Sequence, residues 1–211
     1  MTTWAIVVAA GTGARFGGPK QYEPLGGRRV LDWSLDDARA VCDGVVLVVP
    51  PDRLEDPENV DAVVVGADTR SGSVRAGLAA VPESVGTVVV HDAARPLAGT
   101  SLFRRAISSV DAGADGAICA IPVVDTVKRV ADGGMVIDTV DRTGLVAVQT
   151  PQAFRTEILR RAHEGGPEAT DDAALVEALG GVVFVVDGAV RNLKITTPDD
   201  LVVAEALRGL P

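Results

Sequence analysis

Short runs dominated by valine recur along this 211-residue chain, and between them lie stretches with helical or loop character. Trp4 to Ala9, Val45 to Val49, Val60 to Val65, Thr87 to His91 and Ala117 to Ile121 are predominantly apolar rather than alternating. That is how strands read when both faces are covered, as in parallel sheets. Val30 to Val41 carries Leu31, Leu35 and Ala38 at helical spacing, and Ser73 to Val81 and Leu102 to Val110 also read as helices. Strand–helix alternation of this kind predicts an α/β fold: a Rossmann-like, doubly wound, mostly parallel sheet. Only 3% of residues are aromatic against 47% hydrophobic, so the core must be aliphatic.

The pattern changes after Ile121. Pro122 to Val148 alternates apolar and polar residues around a Gly133-Gly134 turn, which reads as a β-hairpin arm projecting from the sheet. Helices follow near Glu157 to Ala162 and Asp171 to Leu179, then a strand at Val182 to Val186. The last helix starts at Thr197-Pro198, a capping residue followed by proline at the first helical position. No repeat, low-complexity tract or linker interrupts the chain. The expected organisation is one domain over residues 1–211 with an arm at about 122–148.

A net charge of -9 argues against general nucleic-acid binding, which calls for a broad basic face. It leaves room for a small anionic ligand, which needs only a few well-placed cations. Cys42 and Cys119 form no CxxC pair and read as core thiols in a reducing compartment. With no basic, apolar leader and no run of transmembrane length, the expectation is a cytoplasmic protein without membrane contact.

Four clusters carry chemistry. The first strand runs into A-A-G-T-G-A-R-F-G-G-P-K-Q, Ala9 to Gln21, where small residues let backbone N–H groups approach an anion. The dinucleotide fingerprint fits Gly11 and Gly13 and fails at Phe16; the Walker loop meets Pro19 where its lysine should be. What remains is a glycine loop with two cations, Arg15 and Lys20, suited to a triphosphate whose leaving group gains charge. The competing reading is a tight turn with surface cations. Second, Asp92 ends a strand at the carboxyl edge where open α/β sheets bind ligands, with Arg95 three residues on. A carboxylate there can anchor Mg²⁺ or merely cap a turn; His91 reads as structural. Third, Gly66 to Val74 brings Asp68, Arg70 and Ser73 after a strand, and spacing alone favours helix capping over ligand contact. Fourth, Arg191 to Asp200 sets Lys194 between Leu193 and Ile195, on the opposite side from both if the segment is a strand.

Together these clusters resemble the 2-C-methyl-D-erythritol 4-phosphate cytidylyltransferase family of the non-mevalonate isoprenoid pathway. The resemblance rests on A-A-G-x-G-x-R (Ala9 to Arg15), P-K-Q (Pro19 to Gln21), H-D-A-A-R-P (His91 to Pro96) and D-T-V-K (Asp125 to Lys128). It continues with V-D-R (Val140 to Arg142), T-P-Q (Thr150 to Gln152), T-D-D (Thr170 to Asp172) and N-L-K-I-T (Asn192 to Thr196). It implies that Arg15, Lys20 and Lys194 bind the CTP phosphates and stabilise the transition state, with Asp92 holding Mg²⁺ or another divalent cation. Ala9, Ala10, Gly11, Gly13, Gly66, Asp68, Ser73 and Ala93 would bind the nucleotide, which reverses the capping preference for Asp68. Arg95, Thr126, Arg142 and Thr170 would bind the polyol phosphate. The resemblance also implies a homodimer through the arm, with Thr126 and Arg142 serving the partner's site. Two departures stand out: Phe16-Gly17-Gly18 is a short link between the cations, and Ala67 stands where relatives often carry glycine.

The reaction so implied is in-line attack by a phosphate monoester, already anionic near neutral pH, so no general base is required. The rivals are a cytidylyltransferase for another polyol phosphate such as ribitol 5-phosphate, and a non-catalytic nucleotide-binding module. A sugar-1-phosphate or molybdopterin nucleotidyltransferase would share the first loop but not H-D-A-A-R-P.

Overall fold

Consecutive residues of the central strands feed two different cores, which is what turns the valine-rich runs into a sheet covered on both sides. In a computed structural model that describes residues 1–209, Ala5 and Val7 belong to one apolar cluster and Ile6 to the other. Val45, Leu47 and Val49 divide from Val46 and Val48 in the same way, as the period of two requires.

The chain runs through β1 (Thr3–Val8), a short ladder of β2 (Pro24–Leu25) with β3 (Arg28–Arg29), α1 (Val30–Arg39), β4 (Gly44–Val49) and β5 (Ala62–Val65). It continues through α2 (Arg70–Ala80), β6 (Thr87–Asp92), α3 (Gly99–Asp111) and β7 (Gly116–Pro122). The arm follows as β8 (Val127–Val130) and β9 (Val136–Val140), paired with each other in a separate two-stranded sheet. Then come β10 (Val146–Arg155), α4 (Thr156–Ala162), α5 (Asp172–Ala178), β11 (Val183–Asp187) and α6 (Pro198–Arg208).

Seven strands form the main sheet in the order β11-β7-β10-β6-β1-β4-β5. All neighbours are parallel except β10, which is antiparallel to β6 and β7. The sequence reading passed over β10. Its middle is Thr150-Pro151-Gln152, and the ladder to β7 shifts register between Val148 and Gln152, so neither alternation nor a continuous apolar run marks it.

This topology positions the site. From β1 the chain builds outward to β4 and β5, then returns to β6 on the other side, so a switch point lies at the carboxyl ends of β1 and β6. The loops after β1, β4, β5 and β6 open at that edge, and the antiparallel β10 brings Thr150 to it: the Asp92 amide donates to Thr150 Oγ1 at 3.0 Å. A third, smaller apolar cluster of Leu25, Val30, Ile195 and Ala204 ties α6 to the segment around Lys194, with Phe16, Leu193 and Leu201 packed against it. At the start of α6, Asp200 Oδ2 accepts from the Thr196 and Thr197 amides, each at 2.8 Å, as Thr197-Pro198 foretold. No helix among the described residues is long and apolar enough to cross a membrane.

Candidate active site

The loop after β1 is shaped by its own backbone. Gly13, at φ +69°, lets its carbonyl accept from the amides of Phe16 and Gly17 at 2.8 and 3.0 Å. A Cβ at Gly13 would collide with the Gly18 carbonyl, so glycine is required there. Gln21 closes the loop: its buried side-chain amide donates to the carbonyls of Ala9 (2.7 Å) and Gly11 (3.0 Å). Sequence reasoning quoted Gln21 within a motif and missed this staple, which joins residues ten and twelve apart.

A cavity of about 480 Å³ opens beside this loop, lined among others by Ala10, Gly11, Lys20, Gly66, Asp68 and Ser73. The Ser73 hydroxyl accepts from the Ala67 amide at 3.1 Å, fixing the turn after β5. Asp68 is exposed at the cavity and does not cap α2; Thr69 does, accepting from the Gly72 amide at 3.0 Å. The capping that spacing alone favours for Asp68 belongs to the next residue, Thr69. Gly66 is needed for close approach, since a Cβ there would meet Ala10 Cβ and lie 2.9 Å from Ser73 Oγ.

A second cavity, of about 250 Å³, adjoins the first and is lined by Arg95, Gln149, Thr150, Gln152, Thr170 and Asp171 together with residues of the wall between them. Arg70, Asp92 and Lys194 line both cavities. They form one ion-paired wall: Lys194 Nζ to Asp92 Oδ2 at 2.6 Å, and Arg70 Nε to Asp92 Oδ1 at 3.2 Å. Burial would raise the Asp92 carboxyl pKa, but Arg70 and Lys194 overrule it and hold the group well below the usual carboxylate range. The Lys20 pKa is lowered, first by burial and then by the charges of Lys194 and Arg15, with Asp92 and Asp200 opposing.

Lys194 lies on no strand. Its segment is irregular and pinned by Asn192, whose Nδ2 donates to the Thr150 carbonyl at 2.9 Å, and by the Ile195 amide, bonded to the Ala94 carbonyl at 2.8 Å. The expected sidedness nevertheless holds, with Leu193 and Ile195 in the third apolar cluster and Lys194 on Asp92.

Not every candidate lines these cavities. Ala9 is buried with its amide on Val48 and its carbonyl on Gln21, and Ala93 is buried with its carbonyl accepting from Ser34 Oγ at 3.1 Å. Gly13 shapes the loop from behind, and Arg15 is exposed beyond the cavity rim. Arg95 and Thr170 line the second cavity, where Arg95 Nη1 also donates to the Asn192 carbonyl at 2.8 Å. Thr126 and Arg142 lie exposed on and beside the arm, and among the described residues Arg142 reaches only the carbonyls of Val123 and Val124. His91 is structural as read: buried against Phe103 (4.9 Å between ring centroids), with burial pulling its pKa down to about 4. Both thiols are free, each pushed up to about 12 by burial.

The sequence profile of IspD, 2-C-methyl-D-erythritol 4-phosphate cytidylyltransferase, matches residues 3–209. The chain belongs to the IspD family. The 2-C-methyl-D-erythritol 4-phosphate cytidylyltransferase of Nocardia farcinica is 45% identical over 213 residues, covering 96% of this chain and 92% of that protein. A bifunctional IspD/IspF enzyme of Nitratidesulfovibrio vulgaris is 43% identical, and this chain spans 58% of its length. The solved structure of 2-C-methyl-D-erythritol 4-phosphate cytidylyltransferase from Thermus thermophilus superposes with a TM-score of 0.84 at 38% identity, over 97% of this chain and 98% of that one. This IspD-family chain is accordingly a nucleotidyltransferase, with its loop, wall and two cavities at the carboxyl edge of the sheet.

Proposed function

We propose that the chain transfers the cytidylyl group of CTP to 2-C-methyl-D-erythritol 4-phosphate, giving CDP-methylerythritol and pyrophosphate for isoprenoid precursor synthesis. One observation carries the assignment of parts: two cavities meet at a shared, charged wall of Arg70, Asp92 and Lys194. The first cavity, with the glycine loop, takes the nucleotide; the second, with Arg95 and Thr170, takes the polyol phosphate.

In this reading a phosphate oxygen of the acceptor attacks the α-phosphorus, an O–Pα bond forms, and the bond to the β-phosphate oxygen breaks. The negative charge that develops is met by Arg15, Lys20 and Lys194, and pyrophosphate leaves carrying it. The phosphate monoester needs no deprotonation, which fits a wall where two cations hold the Asp92 carboxylate ionised. Backbone and side chains of Ala10, Gly11, Gly66, Asp68 and Ser73 hold base and ribose, with Ala9, Gly13 and Ala93 supporting from one layer behind.

Asp92 suits a divalent cation such as Mg²⁺, which binds commonly through one carboxylate plus phosphate oxygens. It is buried and ionised, and it stands at the wall where the two ligands meet. When bound, the cation would neutralise phosphate charge. No cluster of three or more ligating side chains occurs among the described residues, so the phosphates would supply much of the coordination.

Residues 1–211 would act as one unit with its arm at about 122–148. The arm exposes Val124, Val130, Met135, Val136 and Ile137, the apolar surface expected of a dimer contact, and Thr126 and Arg142 sit with it. A homodimer in which those two residues complete the partner's second cavity follows, in the cytoplasm and with neither nucleic acid nor membrane as partner. The test is pyrophosphate release with Mg²⁺, each of the four nucleoside triphosphates and a panel of polyol phosphates. Release only with CTP and the methylerythritol phosphate is expected. Activity confined to ribitol 5-phosphate would move the substrate, and no release from any pair would leave a binding module.

A further inference from the structure

Behind the wall lies a second line of charge that touches neither cavity. Asp172, the first residue of α5, is fully buried, and its Oδ2 accepts from Arg70 Nη1 at 2.8 Å. Its Oδ1 lies 3.0 Å from Nε2 of His163, the buried residue that follows α4; a carboxylate only accepts, so that nitrogen carries the donated proton. Arg70, the first residue of α2, thus holds one carboxylate with Nη1 and, with Nε, another: Asp92. The order is His163, Asp172, Arg70, Asp92, Lys194, crossing five segments of the chain.

A buried carboxylate is a poor way merely to hold helices together. Desolvation takes back most of what the ion pair gives, and apolar residues of similar volume commonly do as well. The start of α5 is in any case capped by Asp171, which accepts from the Ala174 amide at 3.0 Å. The buried pair is better accounted for by what it does to Arg70. Of the two cations on Asp92, Lys194 sits on an irregular segment with its side chain 37% exposed, whereas Arg70 is 23% exposed and clamped from behind. The clamp divides the guanidinium between two carboxylates, with Nε on Asp92 and Nη1 on Asp172.

We propose that Asp172, steadied by His163, is a positioning residue for the transfer reaction: it anchors Arg70 on Asp92 Oδ1, so that Oδ2 is the oxygen left exchangeable between Lys194 and a divalent cation. The proposal rests on the reaction assigned above and adds two residues that touch no substrate. In Asp172→Asn the guanidinium loses its buried counter-charge and competes with the metal for Asp92. Supporting groups behind metal-binding side chains typically matter by about 10–100-fold.

The experiment compares Asp172→Asn, His163→Leu, His163→Gln and Arg70→Gln with the parent protein. It reads kcat, the Mg²⁺ concentration for half-maximal turnover, calorimetric binding of CTP with Mg²⁺ in the absence of acceptor, and Tm. Asp172→Asn should need about tenfold more Mg²⁺ and lose about tenfold in kcat, with CTP–Mg²⁺ binding weakened in parallel. His163→Leu should shift in the same direction, and His163→Gln, which keeps a donor, should stay nearer the parent. In an Arg70→Gln background Asp172→Asn should add little, because its route runs through Arg70. Unchanged Mg²⁺ demand in Asp172→Asn, or an equal effect with and without Arg70, would overturn the proposal. Should Asp172→Asn fail to fold, the histidine pair decides: equal Mg²⁺ demand in Leu and Gln overturns it. If the parent itself turned nothing over, the assigned reaction would fall while CTP–Mg²⁺ binding still tested the positioning.

Discussion

Single side chains at this site divide into those that meet developing charge and those that hold them there. Lys20 and Lys194 belong to the first kind in the proposed reaction, approaching the phosphates from the loop after β1 and the segment before α6. Lys20→Ala or Lys194→Ala should lower kcat about 10²–10³-fold, as loss of one preorganised donor does, with Tm within a few degrees of the parent. Near-parent turnover in both would remove them from the mechanism. Lys20 also predicts a pH dependence. Burial, Lys194 and Arg15 lower its pKa below the ordinary lysine range, and only the protonated ammonium attracts a triphosphate. CTP affinity should therefore fall as pH rises through that lowered value, earlier than an ordinary lysine would allow. Calorimetry on Lys20→Arg should show that limb flattened. Away from the site, burial raises the Asp37 carboxyl to about 6, against an opposing bond from the Gly99 amide. The folded state then binds more protons than the unfolded between about pH 4 and 6, so Asp37 costs stability as pH rises through that window. Asp37→Asn, whose carbonyl can still accept from Gly99, should stabilise the fold at pH 7 by about 1 kcal/mol, allowing for partial exposure. Equal melting temperatures at pH 7 would contradict this.

At the scale of elements, the glycine loop works because Gly13 adopts a left-handed conformation with no room for a side chain and Gln21 bridges its ends. Gly13→Ala should impair CTP binding at least tenfold while leaving the sheet intact, as a strained loop of about 1–3 kcal/mol would. A circular dichroism spectrum and Tm unlike the parent's would say instead that the loop supports the fold. Elements whose signal is local were legible in the sequence: the apolar strands β1, β4 and β6, the helices α1 and α3, the arm and the Thr197-Pro198 start. Thr69 rather than Asp68 caps α2, because neighbouring capping residues compete and only the backbone decides between them. β10 escaped because proline and a register shift break its pattern, although it carries Thr150 to the Asp92 amide. The Arg70–Asp172 link joins residues 102 apart, and no spacing rule reaches that far. The loop cations, Asp92 and Lys194 could be found because each sits at a strand end or in a short motif. That they converge is a property of the sheet order.

For the whole molecule, the sheet's switch point opens two cavities at one edge, with the Lys194–Asp92–Arg70 wall between them, and in the proposed reaction each cavity takes one ligand. The arm lies outside that arrangement with its apolar residues in solvent, so the assembly should be a dimer. Light scattering should give twice the 21.7 kDa chain mass, and Arg142→Ala should weaken acceptor binding without altering CTP binding. A monomer with full activity would place Thr126 and Arg142 outside the mechanism. The central claim is that the acceptor's own phosphate oxygen attacks the α-phosphorus across this wall and becomes the bridging oxygen of the product. The most direct measurement is phosphorus NMR of the reaction run with the acceptor's phosphate labelled with heavy oxygen. Label should remain entirely in the CDP-linked product, including its bridging position, with unlabelled pyrophosphate. Label in the pyrophosphate, or a bridging oxygen without label, would contradict it.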